Sequence, residues 1–544
     1  MKRSGALGLL SVVFAAVAML PGCGGGGGGS DVPIATPSGT GSNPADVSPG
    51  TGQPTSVDPD KVPTAPMPTD LVYADAVPAN ASLFSVGPSR WLVSNLTVER
   101  SVQRLASSGS SAYAGWVEYD KRTAGGATST GRLKLASIAQ TGLSVGSAAT
   151  SPGGFVEGRN LAIAASDAGG AMAAWVEFAQ GNNGSEWRIR VAGFGAGAVS
   201  TPSEIAAIPD TSAAKIDKLI LRFNTDGSPE LFWLLQTWRP GTGEVGSSAL
   251  WRAVRVGNSW QAAQLRQVSD GTIDDLTAWS GDAQGQAGVA WIERNGTSTK
   301  LLTATASTLP QAQPTSVATA ASMTEVQAAR SSGLVALAWR ASDCSGATRQ
   351  SSSSNMAKPM AVIAAAATPF STCLTVREGG SAWKDVRTLG SLTSNEFDTA
   401  AIAIRPSGEI LVVWSGEIGA NKRVAAAACT AASCATATTL ATPNMGSIAR
   451  TAVTATSSGF AVSWVDIDPY AQYLTAVRFV RTNASGVMAG TPVPVRAVFY
   501  GSGMSPTNKE PALAAVGDNV VLTWRTDRFN TDATQDFNAA WLAP

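Results

Sequence analysis

Histidine is absent from all 544 residues. That absence removes Ser-His-Asp and Cys-His nucleophiles, HExxH zinc sites and facial-triad iron, each of which needs an imidazole. Charge is scarce as well. Asp, Glu, Lys and Arg make up 14% of the chain, and 39 basic residues balance 39 acidic ones, where about a quarter charged is usual. No basic patch or tail stands out, so nucleic acid is not an expected partner. Beyond the first residues no apolar run approaches the roughly eighteen that a membrane helix requires. Neither a cofactor nor a metal is expected.

What is present begins with an address. Lys2 and Arg3 precede an apolar run from Ala6 to Leu20, followed by Leu20-Pro21-Gly22-Cys23. A charged start, a short apolar stretch and small residues at a cleavage point predict an export signal over residues 1–22. The Leu-x-Gly-Cys ending resembles the lipobox of bacterial lipoproteins. That resemblance implies a diacylated (palmitate-type) Cys23 as the mature N-terminus, with an ordinary secretory signal as the alternative. Residues 23–80 open on six glycines and continue in Pro, Ser, Thr, Gly and Asp. Such a segment buries too little apolar surface to offset its ordering entropy and reads as a tether, about 55 residues reaching roughly 40 Å. Gly24 rather than Asp after Cys23 implies, by resemblance to enterobacterial sorting, an outer-membrane lipoprotein facing the periplasm or the exterior. Membrane attachment then comes from the lipid alone.

With Cys23 lipidated, four of the five cysteines remain, an even number in an oxidising compartment. Cys429 and Cys434 bracket the tight stretch CTAASC, and a bridge there contributes about 2 kcal/mol by loop closure. Cys344 with Cys373 is the default second pair among the three possible pairings.

From about residue 85 one pattern recurs. In DAGGAMAAW, NTDGSPELFW, RSSGLVALAW and RPSGEILVVW a glycine lies six residues before Trp175, Trp233, Trp339 and Trp414. Further units end at Trp116, Trp291, Trp464 and Trp524, with spacings of five to seven, making eight. Before each glycine runs a short alternation of small residues, such as LAIAAS, TAVTAT or PALAAV. After each tryptophan comes a polar loop and another β-rich run. Short strands between turn signals at a fixed period predict four-stranded blades. The glycine supplies the positive-φ turn between strands one and two. Small residues fit a strand lining a crowded central channel. A tryptophan on strand two fills the wider space between sheets, burying some 200 Å². A phosphate loop would need a following helix, and a calcium loop would need carboxylates at alternate positions.

The repeats resemble exported bacterial β-propellers built from G-x5-W blades, loosely akin to sialidase-like propellers. The resemblance covers the chain from about 85 onward and implies a fold, not a reaction. The Asp-box, arginine-triad context and Tyr/Glu pair of sialidases are not found. The expected fold is therefore all-β, a single eight-bladed propeller over 85–544, with seven blades as the alternative. After Trp524 only one further strand is available, so the segment around Trp91, Gly87 to Leu96, is expected to complete the last blade and close the ring.

Two sets of residues are candidates for a ligand face. An acidic residue follows most tryptophans within a few places: Glu118, Glu177, Glu293, Asp343, Glu417, Asp466 and Asp527. A rim of carboxylates suits a cation or a basic partner, and strand-end solvation with ion pairs to Lys or Arg of the next blade is the plainer reading. The same loops hold Trp187, Trp238, Tyr470, Tyr473 and Phe529, aromatics that suit sugar stacking or a protein interface. The functional expectation is a monomeric, non-catalytic module binding an envelope protein or glycan, with a glycan-active hydrolase or lyase as the alternative.

Overall fold

The computed structural model describes residues 81–90 and 103–544, apart from short interruptions and the segments 120–130, 306–312, 345–368, 394–399, 442–447, 469–473, 499–506 and 529–533. The leader, Cys23, the glycine-rich tether and Trp91 lie outside the described residues.

All regular structure among the described residues is β. It forms eight antiparallel blades, numbered here from the first glycine–tryptophan unit. The inner strands are Arg104–Ser108, Phe155–Ala165, Ala214–Phe223, Thr272–Trp279, Met323–Ser331, Ala400–Ile404, Ile448–Ala455 and Thr507–Val516. Each lies against the inner strand of the next blade, and the eighth lies against the first. The ring is thus closed at eight, which sets aside the seven-bladed alternative. Blades 5 and 6 are also joined by one backbone pair, Thr393 with Glu417, in the unit whose sequence is longest and least regular.

The second strands carry the tryptophans, and the reason is visible in the packing. Trp116, Trp175, Trp233, Trp291, Trp339, Trp414, Trp464 and Trp524 are all buried, none more than 4% exposed. Each belongs to a separate core that includes residues of the preceding blade. Trp414 packs with Leu334, Ala336 and Val376 of blade 5, and Trp291 with Phe232 and Leu250 of blade 3. Trp116 of blade 1 packs with Val516, Val521 and Phe537 of blade 8, its ring stacked on Phe537 at 4.1 Å. The hydrophobic interior is therefore eight wedges between sheets rather than one central mass. Small residues before the glycine, such as Ala162, Ala164 and Ala403, let the wedges narrow towards the channel.

Closure uses an N-terminal strand, as expected, but a slightly earlier one. Ala81–Arg90 forms the outer strand of blade 8 and pairs antiparallel with Thr534–Leu542, from Ala81 opposite Leu542 to Arg90 opposite Thr534. Both disulfides form, Cys344–Cys373 with Cα atoms 5.5 Å apart and Cys429–Cys434 with Cα atoms 4.0 Å apart. The first ties the end of the second strand of blade 5 to its third strand.

Candidate active site at the channel mouth

The start of each inner strand and the end of each second strand lie at the same end of a blade, here called the mouth face. Six inner strands are bulged at that end. Register breaks fall between Val156 and Leu161, Ile216 and Leu219, Ile273 and Asp275, Thr324 and Gln327, Ala449 and Thr451, and Lys509 and Ala512. A bulge leaves a residue unmatched and re-aims its side chain. The residues so released include Asp274, Glu325, Arg450 and Glu510, a repeated set of charged groups at the top of the channel.

Three of these hold a backbone conformation that side chains rarely adopt. Glu325, Arg450 and Glu510 have φ of 56°, 42° and 54°. The left-handed region costs a non-glycine residue about 1 kcal/mol or more. Among the described residues the only other non-glycine with positive φ is Ala196, in a turn.

The backbone groups freed by the bulges are satisfied by neighbouring blades, which knits the mouth into one network. Gln103 of blade 1 donates to the Glu510 carbonyl of blade 8 at 2.6 Å. Asn160 of blade 2 donates to the Ile216 carbonyl of blade 3 at 2.8 Å. Asp275 of blade 4 accepts the Val326 amide of blade 5 at 2.9 Å through one oxygen. Through the other it accepts the Leu276 amide at 2.9 Å and the ammonium of Lys218 from blade 3.

Electrostatically the mouth divides into two linked groups. Around Glu325 stand Arg340, Asp275, Arg450 and Lys218. Burial pushes the Glu325 carboxyl up to about 7; Arg340 opposes this, Asp275 adds to it, and Arg450 and Lys218 oppose it. Its Oε2 is buried without a hydrogen-bond partner. Around Glu510, buried at 9% exposure, stand Arg525 at 3.4 Å and Arg450 at 3.6 Å. Arg104 joins them, exposed to solvent and donating to the Gln103 carbonyl at 3.1 Å; Glu510 attracts its charge and Arg450 repels it. Arg450 belongs to both groups and links them.

Beside the mouth, blade 2 presents an aromatic cluster. Phe155 opens the inner strand, Phe178 lies near the end of the second strand, and Trp187 lies early in the third. Their ring centroids are 4.9 to 6.4 Å apart, and the Trp187 indole donates to Asp210 at 3.1 Å.

The acidic candidates are placed unevenly. Glu177 is fully buried, accepting the Ser151 amide at 2.6 Å with Arg190 at 3.8 Å. Glu293 pairs with Arg266 of the preceding blade at 3.0 Å and accepts the Trp291 indole N–H at 3.4 Å. Both are tied into local pairs within their own or the preceding blade, where pairing to the next blade is the sequence expectation. Trp238 ends the second strand of blade 3 and is half-buried. Tyr470, Tyr473 and Phe529, with the side chains of Glu118 and Asp466, lie outside the described residues. No group of three or more metal-ligating side chains occurs among the described residues.

Sequence reasoning overlooked the bulge residues. Glu325, Arg450 and Glu510 each lie 14 residues before the tryptophan of their blade, a constant offset hidden because the residue type changes from Glu to Arg to Glu.

No protein-family model and no curated protein matches the chain. Among solved structures it is similar to an α-L-arabinanase from Penicillium chrysogenum, at 9% identity over 70% of this chain and 92% of that one, TM-score 0.33. An α-L-arabinofuranosidase from Fusarium graminearum matches at 9% identity over 71% and 92%, TM-score 0.33. An endosialidase of phage phi92 matches at 10% identity over 70% and 66%, TM-score 0.37. All three are named as glycan-cleaving enzymes; the expectation of a non-catalytic binding or scaffold module finds no support in them, and they fit its hydrolase alternative better.

Proposed function

We propose that the domain cleaves a glycan at the channel mouth, with Glu325 as general acid and Asp275 as the fixed carboxylate. One observation carries this reading: adjacent blades 4 and 5 bring two coupled carboxylates to the mouth in opposed environments. Asp275 is held by an ammonium and two amide donors. Glu325 sits on a strained bulge, its Oε2 buried and unbonded, in surroundings that favour its protonated form. A carboxyl favoured in its protonated form beside a carboxylate held by an ammonium and amide donors matches the division of roles in glycoside hydrolysis. Glu325 gives its proton to the glycosidic oxygen as the bond to the anomeric carbon breaks. Asp275 offsets the positive charge that develops on the sugar ring; the oxygen of a water molecule then bonds to the anomeric carbon and the proton it loses returns to Glu325.

The Phe155, Phe178 and Trp187 cluster suits stacking against neighbouring sugar units. The leader and Cys23 give this activity an address in the cell envelope, with a glycan as the partner.

The test is release of reducing ends from a panel of glycans by the purified 81–544 domain. Glu325→Gln lowers the rate by about 10²- to 10⁴-fold, the usual worth of a positioned general acid. Cleavage at the unmodified rate by folded Glu325→Gln and Asp275→Asn proteins rejects the assignment.

A further inference from the structure

Glu510 is a single carboxylate held among three guanidinium groups. Arg525 reaches it at 3.4 Å and Arg450 at 3.6 Å, while Arg104 of blade 1 donates to the Gln103 carbonyl at 3.1 Å, whose own side-chain amide donates to the Glu510 carbonyl at 2.6 Å. The two outer arginines are close enough for Arg450 to disfavour the charge on Arg104. Among the described residues this corner of the mouth therefore has more positive than negative charge. Like charges gathered at a half-buried site raise the energy of the empty protein unless an anion joins them. Their exposure differs in a telling way. Arg525 is buried at 4% exposure and serves Glu510, whereas the Arg450 side chain is 43% exposed and Arg104 is accessible. The two accessible arginines come from blades 1 and 7 and flank blade 8, so both can reach one group between them. Arg450 is also held at a φ of 42°, a conformation that a merely solvated arginine has no reason to bear.

We infer that Arg104 and Arg450 form an anion-binding pair, and that the glycan cleaved at this mouth carries an acidic group, a carboxylate or a sulfate ester. The inference rests on the proposed glycan cleavage for the identity of the ligand, but the anion site itself does not. Arg450 lies between the two groups of the mouth, because it also acts on Glu325. An acidic sugar bound there is placed next to the proposed general acid, and Glu510, one carboxylate beside Arg104, Arg450 and Arg525, does not neutralise the pair. Planar guanidinium groups bind carboxylate and sulfate oxygens by paired charge-assisted hydrogen bonds.

The experiment is calorimetric titration of the 81–544 domain with sodium sulfate, glucuronate and glucose, at low ionic strength and again at 0.5 M sodium chloride. Glucuronate or sulfate binds and glucose does not, and salt weakens the binding. Binding of glucuronate alone assigns a carboxylated glycan, and binding of sulfate alone a sulfated one. Arg450→Gln and Arg104→Gln each weaken the anion about tenfold or more, while Glu325→Gln, which removes cleavage, leaves it in place. Thermal unfolding of each variant verifies the fold, and Arg450→Lys, which keeps the charge but not the fork, serves as the milder second variant. Equal affinity for glucose and glucuronate, or anion binding unchanged in both folded arginine variants, overturns the inference. Failure of cleavage with anion binding intact rejects only the hydrolase reading.

Discussion

The two faces of the ring solve the same backbone problem with different residues. On the turn face, opposite the mouth, the chain reverses between strands one and two through left-handed glycines, among them Gly227, Gly333, Gly408 and Gly517 with φ from 60° to 96°. On the mouth face the left-handed positions are Glu325, Arg450 and Glu510. Charges differ in the same sense. At the turn face Glu230, fully buried, is clasped by Arg222 and Arg252, with Arg222 also donating to the Gly288 carbonyl at 2.9 Å. A cleft of about 570 Å³ on that face, between the turns of blades 5 and 6, is likewise lined by carboxylates already paired, Glu378 with Lys384 and Glu409 with Arg405 at 3.3 Å. At the mouth one carboxyl is held towards neutrality and one carboxylate is outnumbered by guanidiniums. Where only a turn is needed glycine provides it without strain; where a side chain must project, the strain is tolerated.

The largest effects break the comparison through stability. Glu230→Ala removes the fully buried carboxylate that Arg222 and Arg252 share and is expected to lower unfolding free energy by about 3–5 kcal/mol, with no change in the pH profile of cleavage. Trp414→Ala opens a cavity between blades 5 and 6 and costs a similar 3–5 kcal/mol or so. Denaturant titration measures both, and losses below about 1 kcal/mol would contradict the wedge packing described above.

A second, smaller effect sharpens the electrostatic difference. The folded protein keeps a proton on Glu325 up to about pH 7, whereas in the unfolded chain the group releases it near its ordinary 4.5. Between those values the native state binds more protons, so this contribution to stability is full at the acid end and falls as pH rises towards 7. Glu325→Gln flattens that part of the stability curve. Cleavage is expected to decline on the alkaline side of about pH 7, as the acid loses its proton.

The smallest effect exchanges the two solutions. Gly408→Ala forces a side chain into a left-handed turn and costs about 1 kcal/mol, whereas Arg450→Gly relieves the same strain and gains up to about 1 kcal/mol while losing anion affinity. Thermal unfolding of the pair decides it: equal destabilisation by both would mean that Arg450 bears no strain.

The architecture was legible in the sequence because glycine and tryptophan leave fixed marks. One conformation recurs at Gly109, Gly169, Gly227, Gly333, Gly408 and Gly517, though not at Gly459 of blade 7, and one wedge shape recurs in all eight blades, so Gly408 and Trp414 identify themselves by residue type. The mouth was not legible for the opposite reason. A bulge is a backbone event that any residue can occupy, and its occupants differ in charge because a site requires unlike groups. Acidic residues chosen for their nearness to tryptophan, such as Glu177 and Glu293, proved to be held in local pairs. The side chains that converge, Asp275, Glu325, Arg450 and Glu510, come from four blades and as many separate stretches of chain.

Pairing of Ala81–Arg90 with Thr534–Leu542 also sets an order in time. The outer strand of blade 8 is among the first pieces of the domain to leave the ribosome and its partner among the last, so the ring cannot shut until synthesis is nearly done. Until then blade 1 lacks its neighbour on one side, and the surfaces that will bury Trp116 against Phe537 stay open. Contacts of such sequence separation are slow to form and leave unfinished chains prone to association, so the chain passes a long interval in which it has not yet locked.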